Sequence, residues 1–476
     1  MFSISKTYIK NIICLFLFIS LSNRAFSREN QSNDQKLSSK NVIDSALKNY
    51  PKIISFYEKV AVKEGGVLEN EGFFDIKIKN EYQDKSRGYF DGKSNNIYFE
   101  KQNSILGSQI YGGYRKSFKD FPSYEGNQIT NERGEYRIGT KFSLLQNNSI
   151  DQGRLDLITS KLELAESKVQ LQKIKYEIQR DTIKSYWNWV IAGHIYKIYK
   201  ELYDLADQRN EQLKIRFKKG DIAEITLIEN KRNVLNRKTS MQEAKNDFDN
   251  SAIYLSLFYR DESGNPKIPS EKQLPEIFSK PQEIVFSKSE NDINDAYERR
   301  PELQIIKIQK EQEKNNLKQA ENLYKPKLDL DIEASKDYGA GQENRNQSNN
   351  SIKLNFEIPL QQRKARGKIT QSRSKLNSIK YEEKLYQETI ANEIKQIKNS
   401  LNNVVNLYYN IEQELGLSET LEKAEKERFK QGSSDFFLIN IREQDTARNK
   451  ISKLLLINKY QSIRADYQVA IFNFDQ

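Results

Sequence analysis

Asp329, Asp331 and Glu333 stand at every second position and look like a metal site on paper. A strand puts all three along one wall, and one isolated strand cannot wrap an ion in six or seven oxygens. Hydration of a polar strand face is the better account. His194, beside Trp187 and Trp189 in a helical stretch, reads as a packed or interfacial side chain rather than a ligand or base. One His, one Cys and two Met in 476 residues exclude the commonest zinc, haem and thiol sites. They also leave little for nucleophile–base catalysis, which usually leans on histidine. No carboxylate pair has a convincing spacing for an enzyme, and there is no Gly-Lys-Ser phosphate loop or dinucleotide fingerprint. No cofactor is expected, and any energy must come from a partner.

The elements around these residues say more. Lys6 and Lys10 precede the short apolar run Ile12–Leu21, and Ala25-Phe26-Ser27 follows it, so 1–27 reads as a secretory signal. Cys14 lies inside that run, leaving the mature chain without cysteine. Lys and Arg number 77 against 66 Asp and Glu, for a net charge of +11. Acids are interleaved with bases almost everywhere, so a mixed-charge helical surface fits better than a nucleic-acid partner. After residue 27 no apolar run suffices for a spanning helix, and any membrane insertion must use strands.

Internal repetition is the strongest signal. Arg216-Phe217-Lys218-Lys219-Gly220 recurs as Arg428-Phe429-Lys430-Gln431-Gly432, 212 positions on. Gly153 with Ser160-Lys161-Leu162 recurs as Gly367 with Ser374-Lys375-Leu376, and Ile43, Ala46 and Pro51 match Ile293, Ala296 and Pro301. The order is the same in both halves, and the first half carries about 36 extra residues. The domains expected are a signal (1–27), a polar linker (28–40) and a first repeat (41–260). That repeat holds a helix, strands within 72–145 with an inserted hairpin near 96–118, and a helical hairpin at 152–258. An irregular connection (261–290) leads to a second repeat (291–476), with a helix, strands in 327–360 and a helical hairpin at 367–474.

Leu155, Ile158, Leu162, Ala165 and Val169 run at helical spacing, as do Ile390, Ile394, Ile397, Leu401, Val404 and Tyr408. Each of the four shorter segments, 41–70, 222–258, 291–324 and 436–474, is expected as one helix. Strict alternation marks the strands. Leu328, Leu330, Ile332 and Ala334 alternate with the acids named above, and Ile352, Leu354, Phe356 and Ile358 alternate with Lys353, Asn355 and Glu357. Phe74, Ile76 and Ile78 alternate with Asp75, Lys77 and Lys79, and Tyr136, Ile138 and Phe142 with Arg137 and Lys141. Lipid on one face and water on the other would produce this pattern, as would a half-buried soluble strand. Aromatic residues at strand ends (Tyr82, Tyr89, Phe90, Tyr98, Tyr111, Tyr114, Phe118) favour an interfacial girdle. Four strands cannot close a barrel, so a membrane barrel must be shared between chains. Three chains give twelve strands, and 96–102 with 107–118 could add a pair per chain or form a separate hairpin.

In this order, Arg300-Pro301-Glu302-Leu303, Lys325-Pro326-Lys327-Leu328, Phe356-Glu357-Ile358-Pro359-Leu360 and the two glycine tips resemble the TolC-like outer-membrane efflux factor family. The resemblance implies an α+β membrane protein in which three chains share an outer-membrane β-barrel. Long antiparallel helical hairpins from two internal repeats would continue it as a periplasmic α-barrel. It also implies partners: a periplasmic adaptor and an inner-membrane pump of RND, ABC or MFS type, in drug efflux, metal efflux or type I secretion. Outer-membrane lipid would surround the barrel. A non-channel helical rod with a β cap, acting as spacer or adhesin, is the alternative.

The family's tips touch the adaptor, which carries over to Lys219, Gly220, Asp221 and Ile222 and to Gln431, Gly432, Ser433 and Ser434. Family members narrow the tunnel mouth with carboxylates six and nine residues after the second tip glycine; here these are Leu438 and Ile441. That departure suggests an apolar constriction around Phe436, Phe437 and Leu438. Asp435 and Asp221 would be substitute gate carboxylates or else turn and cap residues. On the strands, Asp75, Lys77, Lys79, Arg137, Lys141, Asp329, Asp331, Glu333, Lys353 and Glu357 are expected to face the lumen, with no clear ion preference.

Overall fold

A computed structural model describes residues 35–103, 105–118, 121–122, 128–276, 280–282 and 289–474. The expected signal segment lies outside the described residues, as do parts of the expected linker and of 261–290. The described chain forms two compact units. One takes residues up to Ile54, Ile174–Ile293 and Asn392 onward; the other takes Ser55–Lys173 and Asn294–Ala391.

Helices α1 (Ser39–Asn49) and α2 (Pro51–Glu71) lead into strand β1 (Lys77–Lys85). Then follow β2 (Gly92–Gln102), β3 (Gln109–Phe118), β4 (Glu135–Ser143), α3 (Gln152–Lys218) and α4 (Glu224–Leu255). The second half runs α5 (Ser289–Arg299), α6 (Pro301–Tyr324), β5 (Lys327–Asp337), β6 (Ser348–Glu357), α7 (Arg363–Lys430) and α8 (Phe436–Ala470). The two longest helices hold 67 and 68 residues, or about 100 Å each at 1.5 Å per residue.

Two expected helices are each broken once. Tyr50 and Arg300 take extended backbone (ψ 123° and 126°), ending α1 before Pro51 and α5 before Pro301. The proline ring forbids α geometry to its predecessor, yet suits the first position of a new helix. Hydrophobic periodicity continues across such a break, which is why spacing alone reads through it.

All six strands form one antiparallel sheet in the order β1-β2-β3-β4-β5-β6, within the second unit. The inserted pair β2–β3 is therefore part of the sheet, seated between β1 and β4, and not a separate hairpin. The sheet is open: β1 and β6 are its edges, and the chain by itself closes no barrel. In the same unit the α3 start packs on Phe73, whose ring lies 2.5 Å from where a Cβ on Gly153 would be. Glycine is thus fixed there by close approach, whereas a Cβ on its sequence counterpart Gly367 would meet nothing within 4 Å.

The first unit is cored by Ile191, Tyr408 and Ile457 with Trp187, Ile195 and Leu454 packed against them. Trp189 is fully buried beside Phe248. His194 Nε2 lies 2.9 Å from the Pro275 carbonyl, and burial pushes its pKa down. It is a helix-packing residue held to a loop, and it favours the neutral form.

Candidate functional site

The sheet carries the first candidate site. Register fixes which side chains share a face. Lys77, Lys79, Arg137, Lys141, Asp329, Asp331, Glu333, Lys353 and Glu357 all fall on one polar face with Glu81, Tyr98, Glu100, Tyr111, Arg115 and Glu135. Asp75 does not join them, because β1 begins at Lys77 and Asp75 ends a short 3-10 turn. The opposite face presents Ile78, Tyr82, Ile97, Phe99, Ile110, Tyr114, Ile138, Ile332, Ile352, Leu354 and Phe356.

Burial is inverted relative to a water-soluble sheet. The polar face is the sheltered one, with Asp329 2%, Ser335 6% and Glu135 8% exposed. The apolar face is open, with Ile78 79%, Ile138 59% and Ile352 75% exposed. The sheltered face is knitted by complementary charge: Lys79–Glu100 at 2.6 Å, Lys141–Asp329 at 3.3 Å, and the pair Arg115–Glu135. Tyr111 donates its hydroxyl toward Asp331 (2.9 Å) and Glu333 (3.0 Å), and Tyr98 toward Glu81 (2.8 Å). The three acids at every second position thus answer Lys141 and Tyr111, as a hydrated wall would. Among the described residues no group of three or more His, Cys, Asp or Glu is placed to hold a metal ion.

Tyr98 and Tyr111 therefore do not belong to an apolar girdle. Each lies across from a glycine, Gly113 and Gly139; the Tyr111 ring folds over Gly139, whereas Tyr98 reaches the other way to Glu81 on β1. A Cβ on Gly139 would come within 2.4 Å of the Tyr111 ring. Tyr82, Tyr114 and Phe118 do sit on the apolar face, and the Tyr114 ring lies tilted against Tyr136 at 4.9 Å. Tyr89 and Phe90 lie in the β1–β2 turn.

The second candidate site, in the other unit, comprises the two helix–helix turns. Gly220 and Gly432 have φ of 78° and 74°. The Asp221 N–H donates to the Arg216 carbonyl (3.0 Å) and the Gly220 N–H to Phe217 (2.9 Å). Ser433 to Arg428 (2.9 Å) and Gly432 to Phe429 (3.0 Å) repeat the arrangement. Both turns are Schellman caps, whose left-handed residue favours glycine. Lys219, Asp221 and Gln431 are exposed beside the glycines, Ile222 is partly so, and Ser434 donates to Glu425. Asp435 accepts from the Leu438 N–H at 2.8 Å and is the N-cap of α8. Phe436 lies under the Arg209 guanidinium (5.5 Å), whereas Phe437 and Leu438 are exposed and Ile441 is partly buried.

If the Gly432 turn docks a partner, as the resemblance implies, Gly432→Pro should spare assembly but impair export, because proline fixes φ near −65° and removes the Gly432 N–H donor. The check is oligomer yield beside export in cells; oligomer loss at normal expression would count against this tip assignment. If Leu438 and Ile441 line the expected constriction, carboxylates placed there should make conductance in planar bilayers sensitive to divalent cations. An unchanged recording would put the constriction elsewhere.

Near the turns lies a network that sequence reading missed. Glu443, 2% exposed, receives Arg209 at 2.6 Å and Arg237 at 3.0 Å. Asn440 accepts from Arg209 (3.0 Å) and Asn233 (2.9 Å), and Arg237 also donates to the Leu202 carbonyl (2.9 Å). Burial alone would raise the Glu443 pKa, but the Arg209 hydrogen bond and both guanidiniums outweigh it and hold the carboxyl below its ordinary value. One carboxylate thereby ties α3, α4 and α8 together.

Neither protein-family models nor curated proteins give a match to the sequence. Solved structures do. The outer membrane protein VceC of Vibrio cholerae superposes with a TM-score of 0.64 at 10% identity, covering 91% of this chain and 96% of that one. For the CmeC outer membrane channel of Campylobacter jejuni the values are 0.62 and 13%, covering 93% and 90%. The open-state MtrE outer membrane channel of Neisseria gonorrhoeae gives 0.65 and 10%, covering 93% and 94%. At such identities the fold is what is shared, and the fold of this chain is that of the TolC-like outer-membrane efflux channels.

Proposed function

We propose that the protein is the outer-membrane exit duct of a tripartite export system. Three copies would share a β-barrel in the outer membrane, and their helical hairpins would line a periplasmic tunnel. Substrates would pass from an inner-membrane RND, ABC or MFS-type pump through a periplasmic adaptor that docks at the Gly220 and Gly432 turns. In this reading the chain is a conduit rather than a catalyst, directed to the periplasm by its first 27 residues, and built from two repeats of one design.

The observation that carries the reading is the inverted sheet. Isoleucine, leucine and phenylalanine fill an exposed face, while ion pairs are sheltered on the other. A bilayer around a watery lumen rewards this arrangement, and water on both sides would penalise it. Electron microscopy of the detergent-extracted protein tests it. A threefold tube longer than about 100 Å is expected from the helix rise. A rod that stays soluble without detergent, monomeric or dimeric, would overturn the duct and favour a spacer with a β cap.

A further inference from the structure

The two open edges of the sheet carry a complementary pattern. Among the described residues, three charged side chains of the polar face lack an ion-pair or hydrogen-bond partner: Lys77, Lys353 and Glu357. Lys77 belongs to β1, and Lys353 and Glu357 belong to β6. On that polar face, the charged side chains of the four inner strands all have partners within the chain; the unanswered ones are confined to the edges. β1 and β6 also have the most exposed apolar residues, with Ile78 at 79% and Phe356 at 64%.

From this we infer that β6 of one copy pairs antiparallel with β1 of the next, with Lys77 opposite Glu357 and Glu81 opposite Lys353. Two facts support the pairing. Six antiparallel strands per chain is an even number, so β1 and β6 run in opposite directions and alternation continues across the junction. The stated register then joins two pairs of opposite charges on the polar face and sets Ile78 against Phe356 and Tyr82 against Ile352 on the apolar face. Opposed charges and aromatic–β-branched neighbours are the pairs that stabilise sheets. A slip of two residues in one direction sets Lys79 against Lys353; in the other, it leaves Lys353 opposite Gln83 and Glu81 opposite Asn355. A slip of one residue would turn every side chain to the wrong face.

This junction rests on the shared-barrel reading above and refines it: three copies close an eighteen-stranded barrel, not a twelve-stranded one. At about 4.8 Å between strands and about 40° tilt, the backbone diameter is about 36 Å, against about 24 Å for twelve.

Cysteine pairs test the register, with Cys14 replaced by serine. Opposed Cα atoms of an antiparallel pair lie about 4.5–5.5 Å apart, within disulfide reach. Under mild oxidation K77C/E357C should run as covalent dimers and trimers on denaturing gels, while K79C/E357C and K79C/K353C stay largely monomeric. Reversing one charge (K77E) should lower the oligomer's dissociation temperature, and the double reversal K77E/E357K should restore it, which covers the case of a cysteine pair that fails to fold. A detergent-extracted trimer cross-linked only in a slipped pair, or a double reversal no better than K77E, overturns the junction while the duct stands. A soluble monomer cross-linked in no pair overturns both.

Discussion

Glu443→Ala is expected to loosen the hairpin ends by about 3–5 kcal/mol, the usual cost of removing one partner from a buried ion pair. The variant leaves Arg209 and Arg237, whose side chains are only 13% and 9% exposed, without the carboxylate that pairs with both. Asn440 and the Leu202 carbonyl remain as neutral acceptors, which do not offset two buried guanidiniums. Amide hydrogen exchange is the measurement, since it reads local opening segment by segment. Protection in the last turns of α3, in α4 and at the start of α8 should fall by about two to four orders of magnitude. Protection in the sheet should not change.

Acid gives the same result by a second route. The Glu443 carboxyl is held below its ordinary pKa in the folded state, so the unfolded chain takes up the proton first. The stabilisation is fully present above the unfolded value, about 4.3, and is lost as pH falls through the lower folded one. Wild-type protection should therefore persist at neutral pH and collapse only in strong acid, while in Glu443→Ala this carboxylate's share of the pH dependence disappears. Equal protection in the two proteins at neutral pH would mean that the network is decorative.

Much of the fold was legible because short sequence patterns recur along the chain. Two long stretches without proline, two Arg-Phe-Lys-x-Gly turns and four strictly alternating segments each follow from a period that water or lipid imposes. What escaped is what has no counterpart in those recurring patterns. At the offset of 212 that aligns the two tips, Arg209 faces Leu421, Arg237 faces Asn449 and Glu443 faces Lys231. Among the described residues these counterparts form no such network, so landmarks shared by the two halves carry no trace of it, though the mismatches do. The placement of Tyr98 and Tyr111 was also readable: they share parity with Asn96, Glu100 and Arg115, not with the isoleucines. Asp75 was misassigned because alternation carries no mark of where pairing begins. That β2 and β3 join the sheet depends on the pairing of Phe99 with Ile78 and of Gly112 with Ile138, and pairing between strands is not a property of either strand alone.

Ile138→Lys and Ile352→Lys separate a lipid-facing sheet from an exposed soluble one. Both isoleucines are more than half exposed in the chain, and neither fills the core. On a sheet surrounded by water, such a change would usually alter stability by no more than about 0.5 kcal/mol and would improve solubility. Facing a bilayer, a lysine near the midplane costs about 2–4 kcal/mol, because its ammonium must leave water or drag water with it. The two positions lie on β4 and β6 with β5 between them, so their effects should approach additivity. Ser351→Lys, on the polar face of the same edge strand, is the control and should be nearly silent. The readout is the dissociation temperature of the detergent-extracted oligomer, with the membrane-inserted fraction measured beside it. The expected order is control close to wild type, each isoleucine variant well below it, and the double variant lowest or failing to insert. If both isoleucine variants instead match the control, the exposed apolar face meets something other than lipid, and the inverted sheet would need a protein partner to cover it.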